Sequence, residues 1–93
     1  MTMQYITWLM TDAEDRPIAE AKNLTDARRK AYVIMESRDP SITAVRIYNY
    51  DLLVGVVTYN HRVDKVTYTA IDGKKKVEYN LYKNGFLGRR VLP

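Results

Sequence analysis

Residues 63–81, VDKVTYTAIDGKKKVEYNL, decide the fold because they hold the strongest turn signal in the chain. Asp72-Gly73 lies between two segments of alternating apolar and polar residues, a combination typical of a β-hairpin with a two-residue type I′ turn. Placing these two residues at the centre of the turn pairs Ile71 with Lys74 and Tyr68 with Val77. Strand alternation then sends one set of side chains to an apolar face: Val66, Tyr68, Val77, Tyr79 and Leu81. The opposite, polar face carries Lys65, Thr67, Thr69, Lys76, Glu78 and Asn80.

Four further strands are predicted on the N-terminal side of this hairpin from runs of β-forming residues. Residues 2–10 are apolar on both faces, which indicates an interior strand, and residues 18–22 are short enough for an edge strand. Residues 42–48 and 52–59 form the next two strands. Gly55, inside the second of these, marks either a β-bulge or a close contact with a neighbour.

One helix is predicted between these strands, from Asn23 to about Arg38. Asn23 is the expected N-cap and Thr25 is the competing one, because both side chains can accept a hydrogen bond from a free backbone N–H. Apolar residues recur at helical spacing and form a stripe that faces the core: Leu24, Ala27, Ala31, Ile34 and Met35. Asp39-Pro40 is expected to stop the helix, because the residue before a proline avoids the α region.

These elements predict a single α+β domain over residues 1–93, with one helix packed on one face of a mostly antiparallel sheet of five or six strands. The predicted order is β-β-α-β-β-β-β. The sequence allows two alternatives for residues 86–92, a final short strand or a docked tail.

Composition excludes several kinds of chemistry. The chain has no Cys and one His, His61, so thiolate metal sites, disulfides and sites with two imidazoles are excluded. His61 has no Ser-centred nucleophile motif to serve, and the four glycines form no phosphate-binding signature. We therefore expect no enzymatic activity, cofactor or small-molecule ligand. We also expect a cytoplasmic protein, because the sequence shows neither a signal peptide nor a membrane span.

Two groups of acidic residues are candidate metal ligands. Asp15, followed by Glu20 and Lys22, is similar to the motif of some metal-dependent nucleases, in which an acidic residue precedes an E-x-K sequence. A solvated hairpin edge explains the same residues. Asp12, Glu14 and Asp15 lack the turn glycine and distal glutamate of an EF-hand loop. We expect no metal at either group.

Positive charge is concentrated at the C-terminal end of the chain. Residues 1–60 hold seven Lys and Arg against eight Asp and Glu, whereas residues 61–93 hold eight against three. Five of these basic residues are candidates for contacts with nucleic-acid phosphates: Lys74, Lys75, Lys76, Arg89 and Arg90. Base stacking would also need an aromatic side chain on the same face as the charge, from Tyr59, Tyr68, Tyr79 or Tyr82. The predicted hairpin places Tyr68 and Tyr79 opposite Lys76, which weakens this hypothesis.

The leading hypothesis is a protein-interaction domain that associates with itself. Trp8, eight tyrosines and the first strand supply more apolar surface than one helix can cover. The uncovered face of the sheet then meets either the segment Phe86-Leu87 or another chain, through a face-to-face or an edge-strand contact. Weak, sequence-nonspecific binding of nucleic acid is the alternative function.

Overall fold

A seven-stranded antiparallel sheet with one helix on one face forms the part of the chain that the computed structural model describes, residues 8–93. The strands follow the order β2-β1-β3-β4-β5-β6-β7 across the sheet. The elements are β1 (Trp8–Asp12), β2 (Pro17–Ala21), α1 (Leu24–Glu36), β3 (Val45–Asn49), β4 (Leu52–Asn60), β5 (Lys65–Asp72), β6 (Lys75–Leu81) and β7 (Leu87–Arg90). The α+β class, the single helix and the antiparallel sheet are thus confirmed.

The sheet has seven strands rather than five or six, because residues 87–90 form a strand that pairs with β6. This pairing decides between the two alternatives for the C-terminal segment. β1 lies between β2 and β3, as expected for an interior strand, and β2 is an edge strand. Residues 2–7 of the predicted first strand lie outside the described residues.

The β5–β6 hairpin has the predicted faces but not the predicted register. Asp72 pairs with Lys75 and Tyr68 pairs with Tyr79, so the two turn residues are Gly73 and Lys74. Gly73 has φ +60°, and it occupies the first central position, as in a type II′ turn. The shift moves each pairing partner by two positions. Every side chain therefore stays on its predicted face, since alternation has a period of two.

α1 begins where the sequence predicted. The Oδ1 atom of Asn23 accepts a hydrogen bond from the backbone N–H of Asp26 at 2.8 Å, so Asn23 rather than Thr25 is the cap. The helix ends at Glu36, before Asp39-Pro40, because Arg38 adopts a left-handed conformation with φ +55°. A turn in which the N–H of Ile42 bonds to the carbonyl of Asp39 follows, which delays β3 until Val45.

The core lies between α1 and one face of the sheet. The predicted helix stripe is confirmed, since Ala27, Ala31 and Met35 are buried and Leu24 and Ile34 pack against the same cluster. The strands contribute Met10, Val45, Ile47, Val57, Val66, Tyr68 and Leu81. Two alanines on the contact face allow the helix backbone to approach the sheet closely. α1 makes most of its contacts with β1 to β5.

The Tyr68 side chain extends across the core from β5 to β4, which explains why position 55 is a glycine. A Cβ atom built on Gly55 would lie 2.3 Å from the ring carbons Cε1 and Cζ of Tyr68, so only glycine fits under the ring. The Tyr68 hydroxyl donates to the carbonyl of Val54 at 3.2 Å. The Arg28 guanidinium lies 5.2 Å from the ring centroid on the helix side. A register shift between β3 and β4 occurs here too, so Gly55 marks both a bulge and a close contact.

Candidate interaction surfaces

No helix or strand of residues 8–93 covers the face of the sheet opposite α1, which we call the open face. Leu9, Tyr48 and Leu53 form one row across β1, β3 and β4 because they are register partners. Val56 and Thr69 form a second row across β4 and β5. These side chains are half-buried by their neighbours within the sheet.

Near its middle the open face carries one charged side chain, Arg46, which is the register partner of Val56 and is bonded to Asp15. We define the neutral band as the open-face residues of β1, β3, β4 and β5 that carry no charge near its centre: Leu9, Tyr48, Leu53, Val56, Thr58, Thr69 and Ile71. Most are β-branched or aromatic, the residue types that pack well on a pleated surface. Of the two predicted covers, the segment Phe86-Leu87 does not lie on this face, because Phe86 is exposed and Leu87 packs against the core cluster on the helix side.

Charged groups border the neutral band on two sides. At the β1 side, the Asp15 carboxylate accepts hydrogen bonds from Arg46 at 2.9 Å and from the Tyr48 hydroxyl at 3.1 Å. At the β6 side, the Glu78 carboxylate accepts from the Thr67 hydroxyl at 2.6 Å and from Asn60 at 3.0 Å. The side chains next to the band are therefore held in place by their own hydrogen bonds.

One sheet edge is closed to a further strand. Pro17 begins β2 and has no N–H to donate, as is usual for an edge strand. The Nζ atom of Lys30 donates to the backbone carbonyl of Glu20 at 2.7 Å, which occupies an acceptor of the same strand. Both features protect an edge from pairing with another chain.

The other edge, β7, carries two of the basic residues singled out from the sequence. Arg89 and Arg90 are exposed there, and Lys74, Lys75 and Lys76 are exposed at the tip of the β5–β6 hairpin. Lys75 lies on the helix side of the sheet and Lys76 on the open face, since they are consecutive in β6. The structure therefore distributes these five residues over both faces and one edge and does not gather them into one patch.

The tyrosines divide between core and surface. Tyr68 is 2% exposed and belongs to the core, as predicted, whereas Tyr82 is 56% exposed. Tyr79 is half-buried and pairs with Arg90 of β7, so an aromatic ring and a cation share the helix side of the sheet. Tyr79 lies on the face opposite Lys76, as predicted, but Lys75 and Arg90 lie on the same face as Tyr79.

A cluster that the sequence did not predict joins the end of α1 to the β4–β5 turn. The Arg38 guanidinium lies 4.1 Å from the centroid of the Tyr59 ring, and the Tyr59 hydroxyl donates to Asp64. This hydrogen bond raises the pKa of Tyr59, because it stabilises the neutral phenol beside a carboxylate. His61 packs edge-on against the same ring at 4.9 Å. Asp64 thus orders this corner rather than activating His61.

Beside this cluster is a cleft of about 510 Å³, where the start of β5 and the end of β6 diverge. Its lining includes the tyrosine rings of Tyr32, Tyr59 and Tyr82, together with charges of both signs from Glu36 and Lys65. The opposite charges give the cleft no net preference for an anion or a cation.

Two of the carboxylates considered as metal ligands, Asp12 and Asp15, are bonded to other groups of the protein. Asp12 accepts from the backbone N–H groups of Glu14 and Arg16 at 2.9 and 3.0 Å, and the pKa of its carboxyl is lowered, chiefly by the bond from Arg16. Asp15 is bonded to Arg46, whereas Glu20 lies further along β2 and is exposed. Within residues 8–93, no three His, Asp or Glu side chains converge in a way that would hold a metal ion.

No helix in the described range is both long and apolar enough to cross a membrane. The chain matches no protein family model, no curated protein and no solved structure, so its function has to be inferred from its own surfaces.

Proposed function

We propose that this protein is a non-enzymatic binding domain that associates with a second copy of itself through the open face. The observation that carries the proposal is the neutral band, which crosses four adjacent strands. The one charged side chain that lies among its residues, Arg46, is already paired with Asp15. The centre of a protein interface is depleted of charge in the same way, whereas a surface for nucleic acid is rich in Lys and Arg. A face of Thr, Val and Ile side chains also suits the face-to-face packing of two sheets.

The sheet edges favour this geometry over pairing of edge strands. The β2 edge is closed by Pro17 and by the bond from Lys30 to Glu20. Pairing of two β7 strands in an antiparallel dimer would bring Arg89 and Arg90 of both copies together, and like charges at an edge disfavour pairing. A symmetric face-to-face dimer avoids both obstacles, because the charges that border the neutral band have both signs.

The size of the band sets the expected strength. Four strands about 4.8 Å apart and about five residues long make a surface of roughly 300 Å² on each partner. Stable interfaces bury about 800 Å² on each partner, so the dimer is expected to be weak and to form at high micromolar concentration.

Sedimentation equilibrium between about 20 µM and 1 mM tests the proposal with a matched pair of arginine substitutions. Val56→Arg introduces a charge into the neutral band, and Val33→Arg introduces the same charge on the exposed outer side of α1, where Val33 is 60% exposed. The wild type and Val33→Arg should show the same concentration-dependent rise in mass. Val56→Arg should remain monomeric with an unchanged circular dichroism spectrum.

A strictly monomeric wild type at 1 mM would refute the proposal. An equal loss of dimer in both variants would show that net charge, rather than the open face, controls association.

A second candidate function, weak nucleic-acid binding, is favoured by the pairing of Tyr79 with Arg90. Lys75 lies four residues from Tyr79 on the same face of β6, or about 13 Å along the strand. A single strand following the hairpin could therefore meet Lys75 and Arg90 with its phosphates and Tyr79 with a base.

Charge reversal tests this candidate. The double variant Lys75→Glu/Lys76→Glu should abolish binding to a labelled single-stranded oligonucleotide, and wild-type binding should weaken steeply as salt is raised. Tyr79→Leu should reduce binding while leaving the salt dependence unchanged. Absence of wild-type binding at about 25 mM salt would end this hypothesis.

A further inference from the structure

The backbone of β7 presents hydrogen-bonding groups that the sheet does not use. The N–H of Val91 donates to the carbonyl of Glu78 at 2.8 Å, and the N–H of Tyr82 donates to the carbonyl of Phe86 at 3.0 Å. The register pairs Arg90 with Tyr79 and Leu87 with Leu81. Arg90 is the residue before Val91, and Leu87 is the residue after Phe86, so each pair is adjacent to one of these two bonds.

Hydrogen-bonded and non-hydrogen-bonded pairs alternate in an antiparallel ladder, so Arg90 and Leu87 both belong to non-hydrogen-bonded pairs. Their N–H and C=O groups therefore point away from β6. No strand of residues 8–93 pairs with this outer edge.

The two edges of the sheet differ in this respect. β2 has a proline and an acceptor already bonded to Lys30, whereas β7 offers two donors and two acceptors at Leu87 and Arg90. β7 also has one extra residue between these two positions, which is a bulge that bends the strand. Only a short partner segment of about three or four residues can follow such an edge.

Charge selects the partner. Arg89 and Arg90 are exposed on β7, and the neighbouring Lys83 is exposed in the loop that leads to it. A second copy of β7 would be repelled, but an acidic segment would be attracted. The unpaired N–H and C=O groups complement an extended polypeptide backbone, which a nucleic acid does not have.

We infer that the outer edge of β7 binds a short, extended acidic peptide, which adds to the sheet as an eighth strand. The backbone groups of Leu87 and Arg90 pair with the peptide backbone, and Arg89 and Arg90 contact its carboxylates. This site lies on the sheet edge, and it does not depend on association through the open face.

The probe is a fluorescent heptapeptide of alternating Glu and Val, titrated with the full chain at about 25 mM salt. We expect saturable binding at high micromolar concentration, with the largest amide chemical-shift changes at Leu87 and Arg90. A matched Lys and Val peptide should not bind. Equal binding of both peptides would exclude recognition by charge.

Two substitutions of Arg90 separate charge from backbone pairing. Arg90→Gln removes the charge and keeps the N–H, whereas Arg90→Pro removes both. Because the Arg90 N–H points away from β6, Arg90→Pro leaves the β6–β7 bonds intact. The Arg90→Pro variant should bind the Glu and Val peptide about fivefold more weakly than Arg90→Gln does, because about fivefold is the loss expected for one backbone hydrogen bond. Lys74→Glu, a charge change away from the edge, should have a much smaller effect than Arg90→Gln.

Equal affinities of Arg90→Gln and Arg90→Pro would overturn strand addition. If Arg90→Pro does not fold, N-methylation of alternate peptide amides tests the same bonds with the wild-type protein, and affinity should again fall about fivefold. Unchanged affinity of the methylated peptide would refute the inference. If an oligonucleotide with the same charge as the peptide binds more tightly at Arg89 and Arg90, the partner of this edge is a nucleic acid and the inference of a peptide is wrong.

Discussion

Replacement of Gly55 by alanine tests the packing that fixes the centre of the sheet. A methyl group at Gly55 would lie 2.3 Å from the Tyr68 ring, which is far inside van der Waals contact, and the ring is 2% exposed. Overpacking of this kind costs about 1–3 kcal/mol. Alanine is otherwise favoured over glycine within a strand by about 0.5–1 kcal/mol. The difference between these ranges is a net loss of about 0–2.5 kcal/mol for Gly55→Ala, centred near 1 kcal/mol, which corresponds to a fall in Tm of roughly 4–8 °C for a domain of this size.

The diagnostic result is a change of sign in a second background. Tyr68→Leu removes the ring atoms Cζ and Cε1 that crowd Gly55, although it is itself destabilising. In that background Gly55→Ala should stabilise the protein by about 0.5–1 kcal/mol, because only the strand preference remains. Urea unfolding of the four proteins in the cycle measures this coupling. An equal cost of Gly55→Ala in both backgrounds would refute the contact. Gly73→Ala is the matched control, since nothing lies within 4 Å of its Cβ position and its cost should not depend on Tyr68.

Two further predictions concern ionisation. The hydrogen bond from Arg29 holds the pKa of Asp26 at about 2. The ionised Asp26 therefore stabilises the fold fully above the pKa of aspartate in the unfolded chain, and this stability is lost as pH falls through about 2. The free energy of unfolding, measured between pH 5 and 2, should fall more steeply in the wild type than in Asp26→Asn. The bond to Asp64 raises the pKa of Tyr59, so Asp64→Asn should move that pKa down towards its usual value in an NMR titration, and an unchanged Tyr59 titration would contradict the pairing.

The faces of the β5–β6 hairpin could be predicted because the alternation of apolar and polar residues has a physical period of two. The same period explains the error in register, since a shift by two residues leaves every side chain on its face. Only the turn could distinguish the two registers. Asp72-Gly73 indicated a turn with both residues at its centre, whereas Gly73 occupies the first central position and Lys74 the second.

The surface features were harder to predict because they depend on distant segments. Arg38 meets Tyr59 and Asp64 only because the end of α1 reaches the β4–β5 turn, and no local pattern encodes that contact. Arg28 lies outside the apolar stripe of the helix, but its long side chain reaches the Tyr68 ring and the carbonyl of Gly85. The pairing of Tyr79 with Arg90 likewise required β7, whose four residues carry no alternating pattern.

The proposed surfaces divide the molecule by charge. Among the residues of the neutral band the open face carries one basic side chain, Arg46, which is bonded to Asp15, whereas the five candidate basic residues lie at the hairpin tip and along β7. A partner at either basic surface would therefore leave the open face free for a second copy. Binding of an acidic peptide or an oligonucleotide should therefore not dissociate the dimer.

Self-association through the open face is tested by intermolecular nuclear Overhauser effects in a mixture of isotope-labelled and unlabelled protein at about 1 mM. Cross-peaks between protomers are expected from Leu9, Tyr48 and Val56 in the neutral band. Cross-peaks confined to Val33 of α1 or to Phe86, or the absence of any intermolecular cross-peak at this concentration, would contradict self-association through the open face.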